Sequence, residues 1–388
     1  MQLSRCGDID DLRLAAQKRL PGFVFDFVDG GADGQVGVRK NVAVFEDVAL
    51  IPRVLVDVAN RSLATTMFGA RQAAPLAIAP TGGVGMLHRD GEIGLARAAV
   101  ARNIPFTLST ASNVGLEKMR DAVDGRLWMQ LYMFKNHDMT NSIVRRADAA
   151  GYEALVLTLD TPVAGMRKLD SRHFARPGAL TLKSRINTLF HPRWMANVLL
   201  RGLPGFPNVE AALPPDQRSA HAARAFLMGA KDQSLEMSDL ARFRDMWPRT
   251  LLVKGVLAPD DVGALIDHGV DGVILSNHGG RQLDGTVTAL EMLPAAVEAA
   301  RGRIPILIDG GVRRGSDIIK AVALGAATVM IGRATLYGIG AGGEPGACRA
   351  LEILFQEMDR TLALLGCPDV AGLGSEYMRV PIGFGGLR

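Results

Sequence analysis

The sequence predicts an α/β protein, a (β/α)8 TIM barrel that carries an N-terminal helical extension and a long insertion after its fourth strand. Two observations predict this fold. Eight short β-rich runs recur along the chain, and alanine-rich amphipathic stretches separate most of them. Alternating strands and helices are typical of a parallel sheet, and eight such units close a barrel. With 388 residues, of which 48% are hydrophobic, the chain can bury a core of that size.

The elements follow in order from the N-terminus. The extension, residues 1–70, begins with a helix over 9–20 that Pro21 ends. The barrel occupies 71–365, and its strands are predicted at 75–79, 105–109, 127–132, 154–160, 251–254, 272–276, 305–309 and 328–332. Its clearest helices are predicted at 91–102, 138–150, 259–268 and 316–324. The whole chain, 1–388, is predicted to form a single domain.

The interval between the fourth and fifth strands is too long for one helical crossover, which predicts an insertion at about residues 165–235. Residues 167–201 contain eight Lys and Arg against one acid. The second half of this segment, residues 189–200, is also apolar and includes Phe190 and Trp194. Two interpretations stay open: a mobile lid with a solvated basic face, or a patch on an anionic membrane surface. Nucleic-acid binding is not indicated, because no known motif or aromatic-interleaved basic groove accompanies the charge.

Polar residues follow nearly every predicted strand. In such barrels the catalytic groups lie at the C-terminal ends of the strands. Buried polar groups cost free energy unless they are paired, so eight polar strand ends at one mouth indicate an active site. In strand order the residues are Pro80, Thr81 and Gly82; Ser109; Gln130 and Tyr132; Thr158 and Asp160; Lys254; Ser276 and His278; Asp309, Gly311 and Arg313; and Gly332 and Arg333.

The loops after strands 7 and 8 predict a cofactor that carries a phosphate. Barrels often bind phosphate there, and Gly311 offers exposed N–H groups beside the guanidinium forks of Arg313 and Arg333. Lys254, at the end of an apolar strand, needs an anionic partner, and a reduced flavin ring provides one. Hydrogen bonds to the polar edge of such a ring are expected from Thr81, Ser109, Gln130 and Thr158. The alternative for Lys254 is Schiff-base chemistry, as in a barrel aldolase.

The stretch Ser276-Asn277-His278-Gly279-Gly280-Arg281-Gln282 predicts the substrate chemistry. A histidine can take a proton near neutral pH, and an arginine can hold a carboxylate with two parallel hydrogen bonds. His278 and Arg281 together therefore indicate a substrate with an acidic group beside the reacting bond. The alternative is a glycine-rich loop whose histidine and arginine are solvated.

Several motifs occur together and in order: Arg39-Lys40-Asn41, Gln130-Leu131-Tyr132, Thr158-Leu159-Asp160-Thr161-Pro162, Leu252-Val253-Lys254-Gly255, residues 276–282, residues 309–315, residues 323–326 and Ile331-Gly332-Arg333. With them the chain resembles the FMN-dependent 2-hydroxy acid oxidase and dehydrogenase family over nearly its whole length. Within that family it is most similar to the bacterial mandelate and L-lactate dehydrogenases. Residues 107–113, 191–194, 332–338 and 366–369 resemble the mandelate branch in particular.

The resemblance implies an FMN cofactor and the oxidation of an L-2-hydroxy acid, mandelate-like or lactate-like, to the 2-keto acid. It implies that His278 removes a proton, that Asp160 stabilises the resulting imidazolium, and that hydride equivalents reach flavin N5. It implies three further binding roles. Arg281 and Arg167 take the substrate carboxylate, Tyr132 bonds to the substrate oxygen, and Arg313 and Arg333 hold the cofactor phosphate. Lys254 would stabilise the reduced flavin.

Two positions bear on the electron acceptor and the substrate. Gly82 stands where many oxidases of the family have alanine, which favours a quinone or other carrier as acceptor, with O2 as the alternative. Phe27 stands where the family usually has a tyrosine that helps bind the carboxylate. Phenylalanine cannot donate that bond, and a charge-assisted hydrogen bond contributes about 1.5–3 kcal/mol. We therefore expect either weak binding of the acid or a preference for a bulkier or aromatic one, or alternatively a flavoprotein with a redirected substrate.

Composition bears on location and assembly. Cys6, Cys348 and Cys367 are far apart without metal-ligand spacing, which predicts free thiols in a reducing compartment and no metal site. The chain starts without an apolar signal region and has no run long enough to span a bilayer. A cytoplasmic protein is expected, with peripheral attachment to the inner face of the cell membrane as the alternative. The resemblance implies a homotetramer.

Other enzyme classes fit less well. Residues 338–343 match G-x-G-x-x-G but follow strand 8 without a βαβ unit, so they do not predict a dinucleotide site. Barrels like isopentenyl diphosphate isomerase or IMP dehydrogenase would keep the phosphate site but not the His278–Arg281 pair. The latter would also need a catalytic cysteine near a strand end.

Overall fold

The computed structural model describes residues 2–386 except 177, 178, 212, 215 and 217. Eight parallel strands form a closed barrel in which each strand pairs with the next along the chain and the last pairs with the first. This confirms the predicted (β/α)8 barrel. The barrel strands are β1 Leu76–Ile78, β2 Phe106–Leu108, β3 Leu127–Leu131, β4 Ala154–Thr158, β5 Thr250–Val256, β6 Gly272–Leu275, β7 Ile306–Asp309 and β8 Thr328–Ile331.

Most of the predicted strands are one or two residues too long at an end. The pairing continues past the regular ladder in places: the Leu159 N–H, beyond the end of β4, still donates to the carbonyl of Lys254 in β5, 2.9 Å away. Strand β5 is longer than predicted and contains a bulge between Lys254 and Val256. The polar residues therefore divide into two groups. Gln130, Thr158, Lys254 and Asp309 lie within the last residues of their strands, whereas others, such as Ser109, Asp160 and His278, lie in the loops that follow.

The helices surround the barrel in the expected alternation. Five of the helices given below match their predicted bounds within one residue: α1, α4, α6, α13 and α15. The α-helices are α1 Ile9–Arg19, α2 Gly22–Asp29, α3 Val36–Ala43, α4 Gly91–Ala101, α5 Leu116–Ala122, α6 His137–Ala149, α7 Lys168–Ser171, α8 Leu182–Leu189, α9 Pro192–Trp194, α10 Pro207–Glu210, α11 Ala220–Gly229, α12 Asp239–Met246, α13 Pro259–Asp267, α14 Ala289–Ala300, α15 Gly315–Ala323, α16 Arg333–Gly342 and α17 Glu344–Leu365. The G-x-G-x-x-G match lies in α16 and its cap, so it forms no dinucleotide loop.

The core has two parts. Apolar residues on the outer faces of the strands pack against the helices, while a smaller cluster fills the barrel interior. Trp128 is the largest member of the interior cluster, and Phe68, from the turn of a short hairpin over 65–72, meets its ring edge-on at a centroid distance of 5.9 Å. Because side chains fill the interior, only the C-terminal mouth of the barrel is left to bind ligands.

The N-terminal extension contacts the loops that follow β6, β7 and β8. Asn41 and Asn277 exchange side-chain hydrogen bonds of 2.7 and 2.8 Å, and the backbone of Gly311 lies so close to Asn41 that a Cβ there would overlap its carbonyl oxygen. The Asp284 carboxylate accepts N–H bonds from Gly34 and Gly37 at 3.0 and 2.7 Å. These contacts bring α2, and with it Phe27, to the barrel mouth.

The insertion after β4 consists of short elements. They include an antiparallel pair, Phe174–Arg176 with Ala179–Leu180, helices α7 to α12 and a π-helical turn, Met195–Leu199. The side chains of Asp170 and Arg176, counted in the basic segment, lie outside the described part of the structure. The division into one domain, 1–388, with an extension, a barrel and an insertion of these bounds stays a prediction.

Helix α8 has an inverted pattern of burial. Its buried residues are Ser184 and Thr188, whereas Leu189 and the following Phe190 are 66% and 76% exposed. Leu182 and Ile186 are exposed on the same helix, and Leu200 and Leu203 are exposed in the segment that follows. Several large apolar side chains exposed within about twenty residues of one another indicate an interaction with a membrane or another protein. We use the name α8 patch for the six exposed residues Leu182, Ile186, Leu189, Phe190, Leu200 and Leu203.

Trp194 does not belong to the α8 patch, so its assignment to a surface run was wrong. The residue is 2% exposed, its indole N–H donates to the carbonyl of Met86 at 2.7 Å, and its ring meets Phe23 edge-on at 5.7 Å. Burial of the large ring against α2 and the loop after β1 outweighs exposure at the surface. Trp194 therefore anchors the insertion to the body of the protein.

Candidate active site

His278 and Asp160 form a hydrogen-bonded pair across the barrel mouth. Nδ1 of His278 lies 3.0 and 3.1 Å from the two carboxylate oxygens of Asp160. His278 has a positive φ of 59°, a conformation uncommon for residues other than glycine, and its backbone N–H donates to Ser276 Oγ at 2.9 Å. Gly255 allows the approach, since a Cβ there would lie 2.6 Å from Cβ of Asp160. The fold therefore fixes the imidazole in one orientation.

The electrostatics of the pair suit a histidine base. Burial alone would raise the pKa of Asp160, but the charge and hydrogen bond of His278, together with the charge of Lys254, lower that pKa below its usual value. The ionised carboxylate accepts the Nδ1–H bond, which leaves Nε2 as the lone-pair nitrogen. Asp160 thus selects the tautomer whose lone pair is on Nε2, and its negative charge lies next to the imidazole ring.

Tyr132 lies beside this pair, just past the end of β3. Burial, and then the negative charge of Asp160, raise the pKa of Tyr132 to about 12, while the charges of Arg167 and Arg281 act in the opposite direction. The phenol is therefore protonated at neutral pH and can donate a hydrogen bond. Those same interactions place Arg167 and Arg281 near Tyr132 at the barrel mouth.

Phe27 reaches the site from α2. The guanidinium of Arg281 lies over its ring, 5.2 Å from the centroid, and Arg281 Nη1 donates to the carbonyls of Phe27 and Gly30 at 2.8 and 2.9 Å. A Cβ on Gly83 would lie 3.5 Å from the Phe27 ring. Phe27 therefore lies between the loop after β1 and the arginine expected to bind the carboxylate, and its ring offers that arginine a face rather than a hydroxyl.

Lys254 is buried deeper in the mouth. Its Nζ lies 2.7 Å from Asp309 Oδ2 and donates to Ser276 Oγ at 2.7 Å. The other carboxylate oxygen, Asp309 Oδ1, is buried without a hydrogen-bond partner among the described residues. A buried acceptor left in this way costs free energy unless a ligand donates to it. Asp309 Oδ1 therefore indicates a ligand with a hydroxyl or N–H group.

A chain of hydrogen bonds links β2, β3 and β4 beside Lys254. Ser109 Oγ donates to Gln130 Oε1 at 3.1 Å, and Gln130 Nε2 donates to Thr158 Oγ1 at 3.0 Å. All three side chains are buried. On the other side of the mouth, Thr81 in the loop after β1 lies near Gly332 at the end of β8. The predicted flavin contacts thus form one polar lining around the barrel opening.

The loops after β7 and β8 make a positively charged cradle. Arg333 is partly buried, and burial together with the charge of Arg313 lowers its pKa. It donates to the carbonyls of Val28, Gly279 and Gly30 at 2.9, 2.8 and 2.7 Å. It also begins α16, whose N-terminus adds a partial positive charge. Two neighbouring guanidiniums at a helix N-terminus indicate a phosphate site.

These residues fit FMN. Arg313, Arg333 and the backbone at Gly311 would hold the phosphate, and the unpaired Asp309 Oδ1 has the chemistry to accept a bond from a sugar-like hydroxyl. The Ser109, Gln130 and Thr158 lining and Lys254 match a flat ring with polar edges and developing negative charge. Close packing accounts for glycine at position 82, because a Cβ there would lie 2.9 Å from Cβ of Ala111.

Four residues of the site were given no role from the sequence. Gln282 Nε2 donates to the carbonyls of Asp160 and Val163 at 3.0 and 2.9 Å, which ties the loop after β4 to the loop after β6. Asp284 holds the extension, and Gly255 admits Asp160. Lys231, from the insertion, lies over the ring of Tyr132. For Gln282 the signal was its place in the His278 motif; no sequence pattern marks Lys231.

Comparisons with known proteins agree with this site. Residues 16–380 match the family model described as FMN-dependent dehydrogenase. The chain is 44% identical to (S)-mandelate dehydrogenase of Pseudomonas putida over 374 residues, 96% of this chain and 93% of that protein. It is 40% identical to L-lactate dehydrogenase of Caulobacter vibrioides over 376 residues, 96% of this chain and 97% of that protein.

Solved structures show the same likeness. The crystal structure of a monotopic membrane protein, (S)-mandelate dehydrogenase, superposes with a TM-score of 0.93 at 42% identity, covering 97% of this chain and 100% of that one. A mandelate oxidase structure has a TM-score of 0.80 at 33% identity, with 97% and 98% covered. The chain therefore belongs to the family of FMN-dependent dehydrogenases, and it is an oxidoreductase that acts on a CH–OH group with FMN as its cofactor.

Proposed function

We propose that this enzyme oxidises an L-2-hydroxy acid with an aromatic or bulky side chain, mandelate-like before lactate-like, to the 2-keto acid. The His278–Asp160 pair carries the proposal, because it supplies a base at the mouth beside two arginines and a phenol donor. The Phe27 ring favours an aromatic acid, since it adds apolar surface where a tyrosine would add a hydrogen bond. The similarity to (S)-mandelate dehydrogenase of Pseudomonas putida, at 44% identity, supports the same choice.

Each charged or polar residue of the site has a separate role in this reaction. Arg281 and Arg167 bind the carboxylate and thereby place the substrate α-carbon near His278. When bound, FMN supplies the acceptor for the hydride equivalent that leaves this carbon. Nε2 of His278 takes the proton of the α-hydroxyl group, so that the hydride equivalent and this proton are the two hydrogens lost, and Asp160 stabilises the imidazolium. Tyr132 donates to the α-oxygen as its charge changes, and Lys254 offsets the negative charge gained by the cofactor.

The experiment is an anaerobic visible spectrum of the purified protein before and after each of a panel of 2-hydroxy acids. We expect (S)-mandelate to bleach the flavin band and the R enantiomer to leave it unchanged. A flavin band that no 2-hydroxy acid bleaches would contradict the proposal. Bleaching by lactate with a much lower midpoint concentration than by mandelate would overturn the preference for an aromatic acid.

For the acceptor we propose a quinone or another electron carrier, supported by Gly82 and by the similarity to dehydrogenases. The second candidate, O2, is favoured by the similarity to a mandelate oxidase. Mixing the reduced enzyme with air-saturated buffer or with a water-soluble quinone separates them. We expect reoxidation by the quinone to be faster at equal concentration, and faster reoxidation by O2 would instead assign an oxidase.

We also propose that the α8 patch attaches the enzyme to an anionic membrane surface. Exposed Leu189 and Phe190 stand beside the exposed cations Lys183, Arg185 and Arg193, a combination typical of interfacial segments. No helix within the described residues is both long and apolar enough to cross a bilayer. The monotopic mandelate dehydrogenase structure supports a surface attachment.

Flotation with vesicles of anionic lipid at low salt tests the attachment. The native protein should float with the vesicles, and Leu189→Asp with Phe190→Asp should leave it at the bottom while flavin bleaching is retained. The matched control is Leu364→Asp, which changes an equally exposed leucine on α17. Equal flotation of all three proteins would refute the patch. A homotetramer, which the family resemblance implies, is to be measured in the same preparation by light scattering.

A further inference from the structure

Lys231 is brought to the active site by the insertion. It follows α11, and the backbone on either side of it is fastened to the residues after β3. The Lys135 N–H donates to the carbonyl of Ala230 at 3.0 Å, the Asp232 N–H donates to that of Met133 at 3.1 Å, and Phe134 pairs with Lys231 itself. Residues 230–232 therefore pair with residues 133–135, which directly follow Tyr132.

The ammonium of Lys231 lies over the face of Tyr132. Its Nζ is 4.2 Å from the ring centroid, well within the range of a cation–π contact. Neighbouring side chains hold the segment in place: Asp232 accepts from Ser234 Oγ at 2.6 Å and lies 3.3 Å from His137 Nε2. Within the described part of the chain, the ammonium of Lys231 contacts the ring of Tyr132 and forms no ion pair with a carboxylate.

Several charges face Lys231. Asp160 attracts it and Arg167 repels it. Asp232, Glu236 and Asp239 line, together with Lys231, a cavity of about 410 Å³ beside the end of β4. Burial is the largest influence, and with the charge of Arg167 it outweighs Asp160, so the pKa of Lys231 is lowered to about 8. The charge over Tyr132 is therefore one that titrates near neutral pH.

A positive charge on the face of a phenol draws electron density from the ring and makes the O–H a stronger donor. This effect matters for Tyr132, because burial and the charge of Asp160 raise its pKa and so make its hydroxyl a weaker hydrogen-bond donor. A stronger donor stabilises negative charge at the atom that accepts its bond, and this gain is largest in the transition state if charge grows there.

We propose that Lys231 is a positioning residue that strengthens, through the ring of Tyr132, the hydrogen bond to the α-oxygen of the substrate. The inference rests on the proposed function, which assigns Tyr132 to that oxygen. The bond is strong while Lys231 is charged and weakens as the pH rises through the pKa of the lysine.

Kinetics of three variants test the proposal. Lys231→Met keeps the length but removes the charge, Lys231→Arg keeps the charge, and Lys135→Met changes an exposed lysine on the facing segment. At pH 7 the methionine variant should lose roughly tenfold in kcat/KM for (S)-mandelate, the effect of one partly buried cation–π contact. The arginine variant should recover most of the loss, and Lys135→Met should match the native enzyme.

The pH profile separates this role from a purely structural one. The ratio of native to Lys231→Met kcat/KM should fall toward one as the pH rises from 7 to 10, with a midpoint near 8. A ratio that stays constant across this range would overturn the proposal. In a Tyr132→Phe background the Lys231→Met change should have no further effect, and an additive loss would show that the lysine acts elsewhere.

Ligand binding identifies the atom on which the lysine acts. Lys231→Met should weaken binding of 2-oxo-2-phenylacetate, which has an α-oxygen, and leave phenylacetate, which has none, unchanged. Equal weakening of both would mean that Lys231 attracts the carboxylate directly, and that outcome also overturns the proposal.

A measurement without substrate keeps this inference distinct from the proposed function. The chain has four tyrosines, so the 13Cζ signal of Tyr132 can be assigned with Tyr132→Phe. That signal should titrate near pH 8 in the native protein and not in Lys231→Met. If no 2-hydroxy acid bleaches the flavin, the proposed function fails; if the signal does not titrate, the Lys231 inference fails whatever the substrate is.

Discussion

The barrel mouth and the insertion each bring a lysine to one site, but they stabilise its charge differently. Lys254, on β5, lies 2.7 Å from the carboxylate of Asp309 and is almost fully buried. Lys231, from the insertion, lies over the ring of Tyr132, and its pKa is lowered to about 8 mainly by burial. A carboxylate at contact distance offsets most of the hydration that an ammonium loses on burial, whereas a ring offsets only part of it.

The difference teaches how this fold divides its roles. The barrel supplies pairs of groups held in fixed geometry, namely His278 with Asp160 at 3.0 Å and Lys254 with Asp309 at 2.7 Å. The insertion adds a group whose charge depends on pH and whose position depends on the backbone pairing at residues 230–232. Changes in the barrel mouth should therefore have large effects, and changes in the insertion should have smaller effects that vary with pH.

The largest effect is expected for His278→Gln. Glutamine can still bond to Asp160 but cannot accept a proton, so kcat should fall by about 10²–10⁴. Stopped-flow bleaching of the flavin by (S)-mandelate measures this step. His268→Gln, at the end of α13, is the control and should keep the native rate. A loss below tenfold for His278→Gln would mean that another group is the base.

Lys254→Met should destabilise the protein strongly. The change leaves the carboxylate of Asp309 buried without its cation, which costs about 3–5 kcal/mol of unfolding free energy. Urea unfolding at pH 7 measures the loss. Replacing both partners, with Lys254→Met and Asp309→Leu, should recover much of it, since no unpaired charge is left. If Lys254→Met alone is as stable as the native protein, the ion pair between Lys254 and Asp309 does not stabilise the fold.

Phe27→Tyr sharpens the comparison at the substrate carboxylate. A hydroxyl near Arg281 would restore the bond that this chain lacks, worth about 1.5–3 kcal/mol, so KM for lactate should fall by roughly ten- to a hundredfold. For mandelate the gain should be smaller, because its ring already contacts apolar surface. Steady-state kinetics with both acids measure this, and equal KM values before and after the change would place Phe27 outside the carboxylate site.

The smallest effect is expected for the stability of Lys231→Met. The folded-state pKa, about 8, is below the ordinary value of 10.5, so charging this lysine opposes folding below pH 8 and that penalty disappears between pH 8 and 10.5. The variant should therefore melt about 1–3 °C higher at pH 7 and equal to the native protein above pH 10. Scanning calorimetry measures it, and a lower melting temperature at pH 7 would contradict the sign.

Local patterns in the sequence determined the barrel and most of its mouth. Alternating β-rich and amphipathic runs are properties of neighbouring residues, so the eight strands could be placed within a few residues. Because parallel strands of a barrel all end at one face, residues as distant as Ser109, Gln130 and Lys254 could be assigned to one site before any contact was known.

Only the tertiary structure decided what the insertion does at the site. Trp194 and Phe190 look equally apolar in the sequence, yet one is buried against Phe23 and the other is exposed. Lys231 is one cation among many in the chain, and nothing local distinguishes it. Its place over Tyr132 arises from backbone pairing between segments about a hundred residues apart, an interaction whose partners no local pattern specifies. The sequence alone therefore predicted which residues line the barrel mouth, and the fold decided which residue of the insertion reaches it.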